Sequence, residues 1–151
     1  MNETPSQTIG PFFRFGLDWM DASGLVPDGS PRAVEVRGVV YDGEGVPVPD
    51  AVLEAWQPPR FGRVMTEPDG SYRFTAVPDT AHVDVSLFAR GLLQRVVTRM
   101  YFTDAAAASD PALVEVPQGR RATLVATEEA DGCLRFDVHL QGPLETVFFA
   151  Y

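Results

Sequence analysis

The segment Ala81-His82-Val83-Asp84-Val85-Ser86 alternates apolar and polar residues, a pattern typical of a half-buried β-strand. Residues two apart on a strand point to the same side, so His82 and Asp84 share one face and the two valines share the other. Two potential metal ligands on one rigid strand are a starting point for a metal site. Such a site needs further ligands from elsewhere in the chain.

The rest of the sequence offers few such ligands. His139 is the second of two histidines, and Cys133 is the single cysteine. The chain contains no HxxxH, no paired CxxC and no acidic metal loop. A surface ion pair or a hydrogen-bonded strand pair is therefore the favoured interpretation of His82 and Asp84. The tyrosines are Tyr41, Tyr72, Tyr101 and Tyr151.

Short β-like runs continue on both sides of this segment, separated by glycine and proline. Seven to eight strands at about this spacing predict an all-β fold, an antiparallel sandwich or a barrel, with one or two short helical turns at 105–109 and 111–116. Asp110 before Pro111 suits an N-cap. The predicted strands are Val34–Tyr41, its return strand 51–57 after the turn Asp42-Gly43-Glu44-Gly45, 72–74, 82–89, 95–102, and a hairpin of 123–127 and 134–140 around Asp131-Gly132.

Composition limits the classes of function. A chain of 151 residues is one domain by length, and its net charge of −9 makes it a poor nucleic-acid binder. All 12 basic residues are arginine, whose planar fork suits carboxylates. We expect a soluble, cytoplasmic protein without a membrane segment, since the polar start is not a signal peptide and no apolar run is long enough to span a bilayer.

The first thirty residues predict an extended arm, and 31–151 the sandwich domain. Proline and glycine recur in the arm at Pro5, Gly10, Pro11, Pro27 and Gly29. Its apolar side chains are too numerous to remain in water, and a partner subunit is the expected docking place. These side chains are Ile9, Phe12, Phe13, Phe15, Leu17 and Trp19.

An ordered set of motifs along nearly the whole chain resembles the intradiol ring-cleavage dioxygenases, and in particular the alpha-type subunits of their alpha/beta heteromers. The set is specific because the motifs occur together and in order. They include Thr4-Pro5-Ser6-Gln7-Thr8-Ile9-Gly10-Pro11, Gly45-Val46-Pro47-Val48-Pro49-Asp50-Ala51, Glu54-Ala55-Trp56, Asp69-Gly70-Ser71-Tyr72-Arg73-Phe74, Thr98-Arg99-Met100-Tyr101-Phe102 and Arg135-Phe136-Asp137-Val138-His139.

The resemblance implies β-sandwich subunits assembled as an alpha/beta heteromer, with a higher oligomer expected. In that family the beta subunit holds non-haem ferric iron, Fe(3+), through two tyrosines and two histidines. The iron-bound catechol, here protocatechuate, reacts with O₂, and the ring opens between its hydroxyl-bearing carbons to give 3-carboxy-cis,cis-muconate. The resemblance assigns this chain the non-catalytic alpha role.

The departures from the family's ligand pattern support that role. His82 matches the first histidine of a His-x-His ligand strand, but Asp84 stands at the second. Loops 56–61 and 78–80 lack the two ligand tyrosines. By this comparison His82 and Asp84 are vestigial positions, and we expect no metal in this chain.

The resemblance also implies which residues line the partner's substrate cavity. Thr8, Gly10 and Pro11 of the arm are expected there, because glycine followed by proline makes a close, stiff backbone wall. Arg99 is expected to face the carboxylate of the substrate. An ordinary turn and an interface ion pair are the structural alternatives for these residues.

Two other functions stay open at this point. One is a self-sufficient iron enzyme that uses His82, Asp84 and a tyrosine. The other is a non-enzymatic, transthyretin-like binding module, because β-sandwiches host many functions.

Overall fold

A computed structural model describes residues 4–10, 12–17 and 24–150. The helices are α1 (Phe13–Leu17), α2 (Asp104–Ser109) and α3 (Gln118–Arg121), with 3₁₀ turns at Pro111–Leu113 and Ala122–Leu124. Among the described residues, no helix has the length and apolarity needed to cross a membrane. The strands are β1 (Val34–Tyr41), β2 (Val52–Gln57), β3 (Arg60–Met65), β4 (Ser71–Ala76), β5 (His82–Phe88), β6 (Val96–Tyr101), β7 (Thr127–Glu128), β8 (Leu134–Arg135) and β9 (Val138–His139).

The strands form two sheets. One has the order β3-β2-β5-β6, and each neighbouring pair is antiparallel. The other has the order β4-β1-β8-β7, and β9 also pairs with β1. Here β4 is antiparallel to β1, whereas β8 and β9 run parallel to it. The predicted all-β sandwich is confirmed, with a parallel element that the sequence did not indicate.

The core lies between the sheets and follows the alternation seen in the sequence. In β5, Val83, Val85 and Leu87 are buried, whereas His82 and Asp84 are only partly buried. Each fully buried aliphatic side chain contributes about 1.5–3 kcal/mol relative to exposure. The opposing sheet supplies Val36, Val40, Phe74, Phe136 and Val138 to the same cluster.

Gly38 allows the β8–β9 segment to cross close to β1. A Cβ at this position would overlap the carbonyl oxygen of Phe136. That oxygen accepts a hydrogen bond from the buried Tyr72 hydroxyl, and the Val39 N–H donates to Asp137 Oδ1 at 2.8 Å. Glycine is therefore required by the close approach of two backbones.

The predicted strand 51–57 is confirmed as β2 (Val52–Gln57), but its predicted pairing with β1 is wrong. Residues 42–45 do form a turn, in which Asp42 Oδ1 accepts the N–H groups of Glu44 and Val46 at 2.9 Å each. The chain then crosses to the other sheet, where β2 pairs with β3 and β5, while β1 takes β4 as its antiparallel neighbour. A turn that leads to a hairpin and one that leads to the opposite sheet have the same local sequence signal.

The helical turns near residue 110 are confirmed. Asp110 caps the 3₁₀ turn by accepting the N–H of Ala112 at 2.8 Å. The predicted strand 123–127 is wrong over its first half, which forms the 3₁₀ turn Ala122–Leu124. There the Thr123 hydroxyl donates to the carbonyl of Arg120 at 2.8 Å, a local side-chain bond that favours a turn over a strand.

Candidate functional site

Strands β5 and β6 place four polar side chains next to one another on the outer face of their sheet. His82 lies opposite Tyr101 and Asp84 opposite Arg99. The His82 Nε2 and Asp84 Oδ1 atoms are 3.5 Å apart, so these two side chains share a face as predicted. The antiparallel register brings an arginine beside them, which alternation within one strand does not reveal.

Asp110 completes this group from outside the sheet. Arg99 donates from Nε to Asp84 Oδ1 at 3.1 Å and from Nη1 to Asp110 Oδ2 at 3.0 Å. The Tyr101 hydroxyl donates to the same Asp110 oxygen at 2.7 Å. We call His82, Asp84, Arg99, Tyr101 and Asp110 the β5–β6 cluster. The sequence pattern Asp110-Pro111 indicated only a capping role for Asp110.

The cluster stabilises its ionised carboxylates. Hydrogen bonding to His82, with the charge of Arg99 in addition, lowers the pKa of Asp84. The hydrogen bond from Tyr101 lowers the pKa of Asp110. Burial and the hydrogen bond to Asp110 raise the pKa of Tyr101 to about 12, so its hydroxyl keeps its proton at neutral pH.

The two loops beside the cluster are tied to each other. The Arg60 guanidinium makes two hydrogen bonds to Asp79, at 2.9 and 2.6 Å. The Gln57 amide donates to the carbonyl of Val77 at 2.5 Å and to the Thr80 hydroxyl at 2.9 Å. Loops 56–61 and 78–80, which lack the family's ligand tyrosines, are thus hydrogen-bonded to one another.

The predicted arm residues lie at the other end of β5. Thr8 Oγ1 accepts the N–H of Gly91, just beyond the end of β5, at 2.8 Å. The carbonyl of Gly10 accepts the N–H of Phe13 at 3.1 Å. Both Thr8 and Gly10 are exposed, and Pro11 lies outside the described residues. The structure therefore brings His82, Asp84 and Arg99 together and places Thr8 and Gly10 apart from them.

A cleft of about 400 Å³ opens on the opposite sheet beside His139. The His139 ring stacks on Tyr41, with ring centroids 4.8 Å apart. Two arginines line the cleft: Arg135 Nε donates to Asp137 at 2.8 Å, and Arg120 Nη2 donates to the carbonyl of Glu145 at 2.7 Å.

Comparison with known proteins identifies the family. The protocatechuate 3,4-dioxygenase alpha chain of Burkholderia cepacia is 37% identical to this chain over 192 aligned positions, covering 99% of this chain and 98% of the relative. This chain belongs to the protocatechuate 3,4-dioxygenase alpha-chain family, within the intradiol dioxygenases. The alignment is longer than the 151 residues of this family member, so the relative carries additional residues within the aligned region.

Two further similarities extend this result. The protocatechuate 3,4-dioxygenase beta chain of B. cepacia is 29% identical and covers 91% of this alpha-family chain and 75% of its own length. The dioxygenase domain of a carbohydrate-binding fusion protein from Streptomyces sp. SirexAA-E has the same fold, with a TM-score of 0.62 at 22% identity, covering 93% of this chain and 99% of that domain. No family model matches the sequence.

The β5–β6 cluster does not fit the non-haem iron that the intradiol family implies. Within residues 4–10, 12–17 and 24–150, no three His, Cys, Asp or Glu side chains are grouped to hold a metal ion. Arg99 bridges Asp84 and Asp110, so both carboxylates already pair with one cation. A ferric ion beside it would meet like-charge repulsion.

The described tyrosines do not supply the missing ligands either. The Tyr72 hydroxyl donates a hydrogen bond to the carbonyl oxygen of Phe136 inside the core, and Tyr41 stacks on His139 in the opposite sheet. Tyr101 lies nearest to His82, with ring centroids 5.2 Å apart, but its hydroxyl is held by the hydrogen bond to Asp110 at 2.7 Å. Strand β5 therefore carries part of an arginine-centred ion cluster.

Proposed function

We propose that this chain is the non-catalytic alpha subunit of a protocatechuate 3,4-dioxygenase. Ring cleavage by O₂ to 3-carboxy-cis,cis-muconate then takes place at the Fe(3+) of a beta subunit in the same cytoplasmic complex. The observation that carries this proposal is Arg99, which bridges Asp84 and Asp110 beside the vestigial ligand strand. The similarity to both an alpha and a beta chain supports a heteromer of related subunits.

The arm, residues 1–30, is proposed to dock on the beta subunit. The side chains of Phe12 and Phe15 are 78% and 64% exposed, which is unfavourable for aromatic groups without a partner. Thr8 and Gly10 are exposed as well, and with Pro11 they would form a wall of the partner's substrate pocket. Residues 31–151 then form the sandwich that carries this arm.

Arg99 is the proposed contact for the substrate carboxylate. A guanidinium has five N–H donors, so the bonds to Asp84 and Asp110 do not exhaust its capacity. Its side chain is 21% exposed and lies over the ring of Phe149, 5.3 Å from the centroid. Both paired carboxylates hold the guanidinium in one orientation, which suits two-point recognition of an anion.

Co-expression with a beta-type chain that carries the His-x-His and tyrosine ligands tests this function. We expect co-purification, one iron per alpha/beta pair, and oxygen uptake that depends on protocatechuate. The beta-type chain alone is the control for the contribution of this subunit. Absence of a complex would contradict the proposal and favour a non-enzymatic binding module.

A matched pair of arm variants tests pocket lining. Thr8→Val keeps the shape of the side chain but removes its hydroxyl, and we expect a higher KM for protocatechuate with an intact complex. Ser6→Ala alters a nearby exposed hydroxyl and should leave KM unchanged. Equal KM values for the two variants would remove Thr8 from the pocket.

A further inference from the structure

The guanidinium of Arg14 binds the first half of the N-terminal arm to the sandwich. Arg14 Nη1 donates to the carbonyl of Pro49 at 2.9 Å and to that of Thr66 at 2.8 Å. Pro49 precedes β2 and Thr66 follows β3, so both acceptors lie at the same end of the four-stranded sheet. Hydrogen bonds from a charged donor are about twice as strong as neutral ones.

Two arm residues that precede Arg14 contact the C-terminal end of β5 and the loop after it. The Phe13 ring packs on Phe88 at the end of β5, with centroids 5.6 Å apart. Thr8 receives the N–H of Gly91 in the next loop. That loop is anchored to the segment before β2 by the Arg90–Asp50 ion pair at 2.6 Å. The arm therefore contacts a rigid corner at few points, and Arg14 provides the charged one.

We propose that Arg14 is a positioning residue, whose hydrogen bonds to Pro49 and Thr66 fix where the arm presents Thr8 and Gly10. This inference rests on the proposed function, in which Thr8 and Gly10 line the partner's pocket. Thr8 and Arg14 are six positions apart, so fixing Arg14 restricts the volume that Thr8 can sample. An arm ordered in advance loses less conformational entropy when substrate binds.

The amide of Gly91 reports this positioning in the chain itself, because its hydrogen-bond acceptor belongs to the arm. Hydrogen exchange is measured for Arg14→Ala, for Arg14→Lys, which keeps the charge and supplies three donors, and for Arg121→Ala as the control. Arg121 also donates to a backbone carbonyl, that of Val116 at 3.0 Å, and it lies in α3, outside the arm. For Arg14→Ala we expect exchange at Gly91 faster by about tenfold, the factor for one lost hydrogen bond of this kind.

The lysine variant should restore most of the protection, and Arg121→Ala should match the unchanged chain. Wild-type exchange at Gly91 in Arg14→Ala would overturn the inference. So would equal acceleration in Arg121→Ala, since that result indicates a general loss of stability.

The complex with the beta-type subunit gives the second readout. We expect Arg14→Ala to raise KM for protocatechuate about tenfold, with kcat within about twofold and the same subunit ratio, and Arg14→Lys to recover KM. An unchanged KM, or a fall in kcat without a change in KM, would overturn the positioning role. If the unaltered chain forms no active complex, the proposed function fails, and the predicted effect of Arg14 on KM fails with it. Hydrogen exchange at Gly91 still decides in that case whether Arg14 orders the arm.

Discussion

An arginine is bound near each end of β5, in two different ways. Near the N-terminal end, Arg99 lies between two carboxylates that belong to the sandwich and its flanking turn. Near the C-terminal end, Arg14 comes from an arm outside the sandwich and donates to two backbone carbonyls. The first arrangement matches charge with charge within one domain, whereas the second attaches a separate segment through a few contacts.

This difference separates what is fixed in the chain from what can adapt to a partner. The β5–β6 cluster is built from neighbouring strands, so disturbing it costs stability. Within the described residues 4–10 and 12–17 the arm places no side chain in the core, so disturbing this part changes the position of the arm and leaves the sandwich folded. The following predictions test this division, from the largest effect on stability to the smallest.

Removal of the cation from the cluster should have the largest effect. Arg99→Met leaves Asp84 and Asp110 without their shared cation, and we expect the free energy of unfolding to fall by about 2–3 kcal/mol, because the site is partly buried. Urea denaturation measures this change. Arg73→Met, which removes an exposed ion pair, is the control and should cost less than about 1 kcal/mol. Equal losses for the two variants would contradict the account.

The cluster also predicts how stability depends on pH. The pKa values of Asp84 and Asp110 are lowered in the folded chain, so their stabilisation is present above the unfolded-state pKa and is lost as the pH falls through the folded values. Asp110→Asn keeps a capping side chain but loses the charge. We expect this variant to be less stable than the unaltered chain at pH 7 and to approach it below about pH 3. Unfolding curves between pH 2.5 and 7 that stay parallel would exclude this role of Asp110.

The hydrogen bonds between Arg60 and Asp79 should have an intermediate effect. A double-mutant cycle with Arg60→Met and Asp79→Asn should give a favourable coupling energy smaller than the loss in Arg99→Met, because the pair is bidentate but partly exposed. Added salt should reduce this coupling. A coupling energy of zero would mean that the loops close for another reason.

The arm should show the smallest effect on global stability. Phe13→Ala removes the contact with Phe88, and we expect unfolding to change by less than about 0.5 kcal/mol while protease cleavage in the arm becomes several-fold faster. Phe12→Ala removes a 78% exposed ring and is the matched control. If both variants are cleaved at the unaltered rate, the Phe13 contact does not hold the arm.

The residue pattern within a strand was sufficient to predict those strands that alternate apolar and polar side chains. Alternation placed β1 and β5, and the Asp110-Pro111 pair placed the 3₁₀ turn. The predicted partner of β1 was wrong because the sequence of a turn does not indicate which sheet the next strand joins. The helix α3 and the turn at Ala122–Leu124 were missed since their residues carry no helical periodicity.

The candidate site shows the same limit. The shared face of His82 and Asp84 followed from a spacing of two, but the position of Arg99 opposite Asp84 depends on the register between two strands. The second role of Asp110 depends on the path of the chain after β6. The acceptors of Arg14 are backbone carbonyls, which any residue supplies, so sequence carries no signal for them.

The central claim is that a guanidinium stands in this chain beside a vestigial ligand strand and that the iron of the complex belongs to the sister subunit. The most direct test is the iron content and visible absorption of the purified chain, compared with those of its complex with a beta-type subunit. The account predicts a colourless chain without bound iron and one ferric ion per pair in the complex. A tyrosinate-to-iron absorption band with one iron per isolated chain would contradict it.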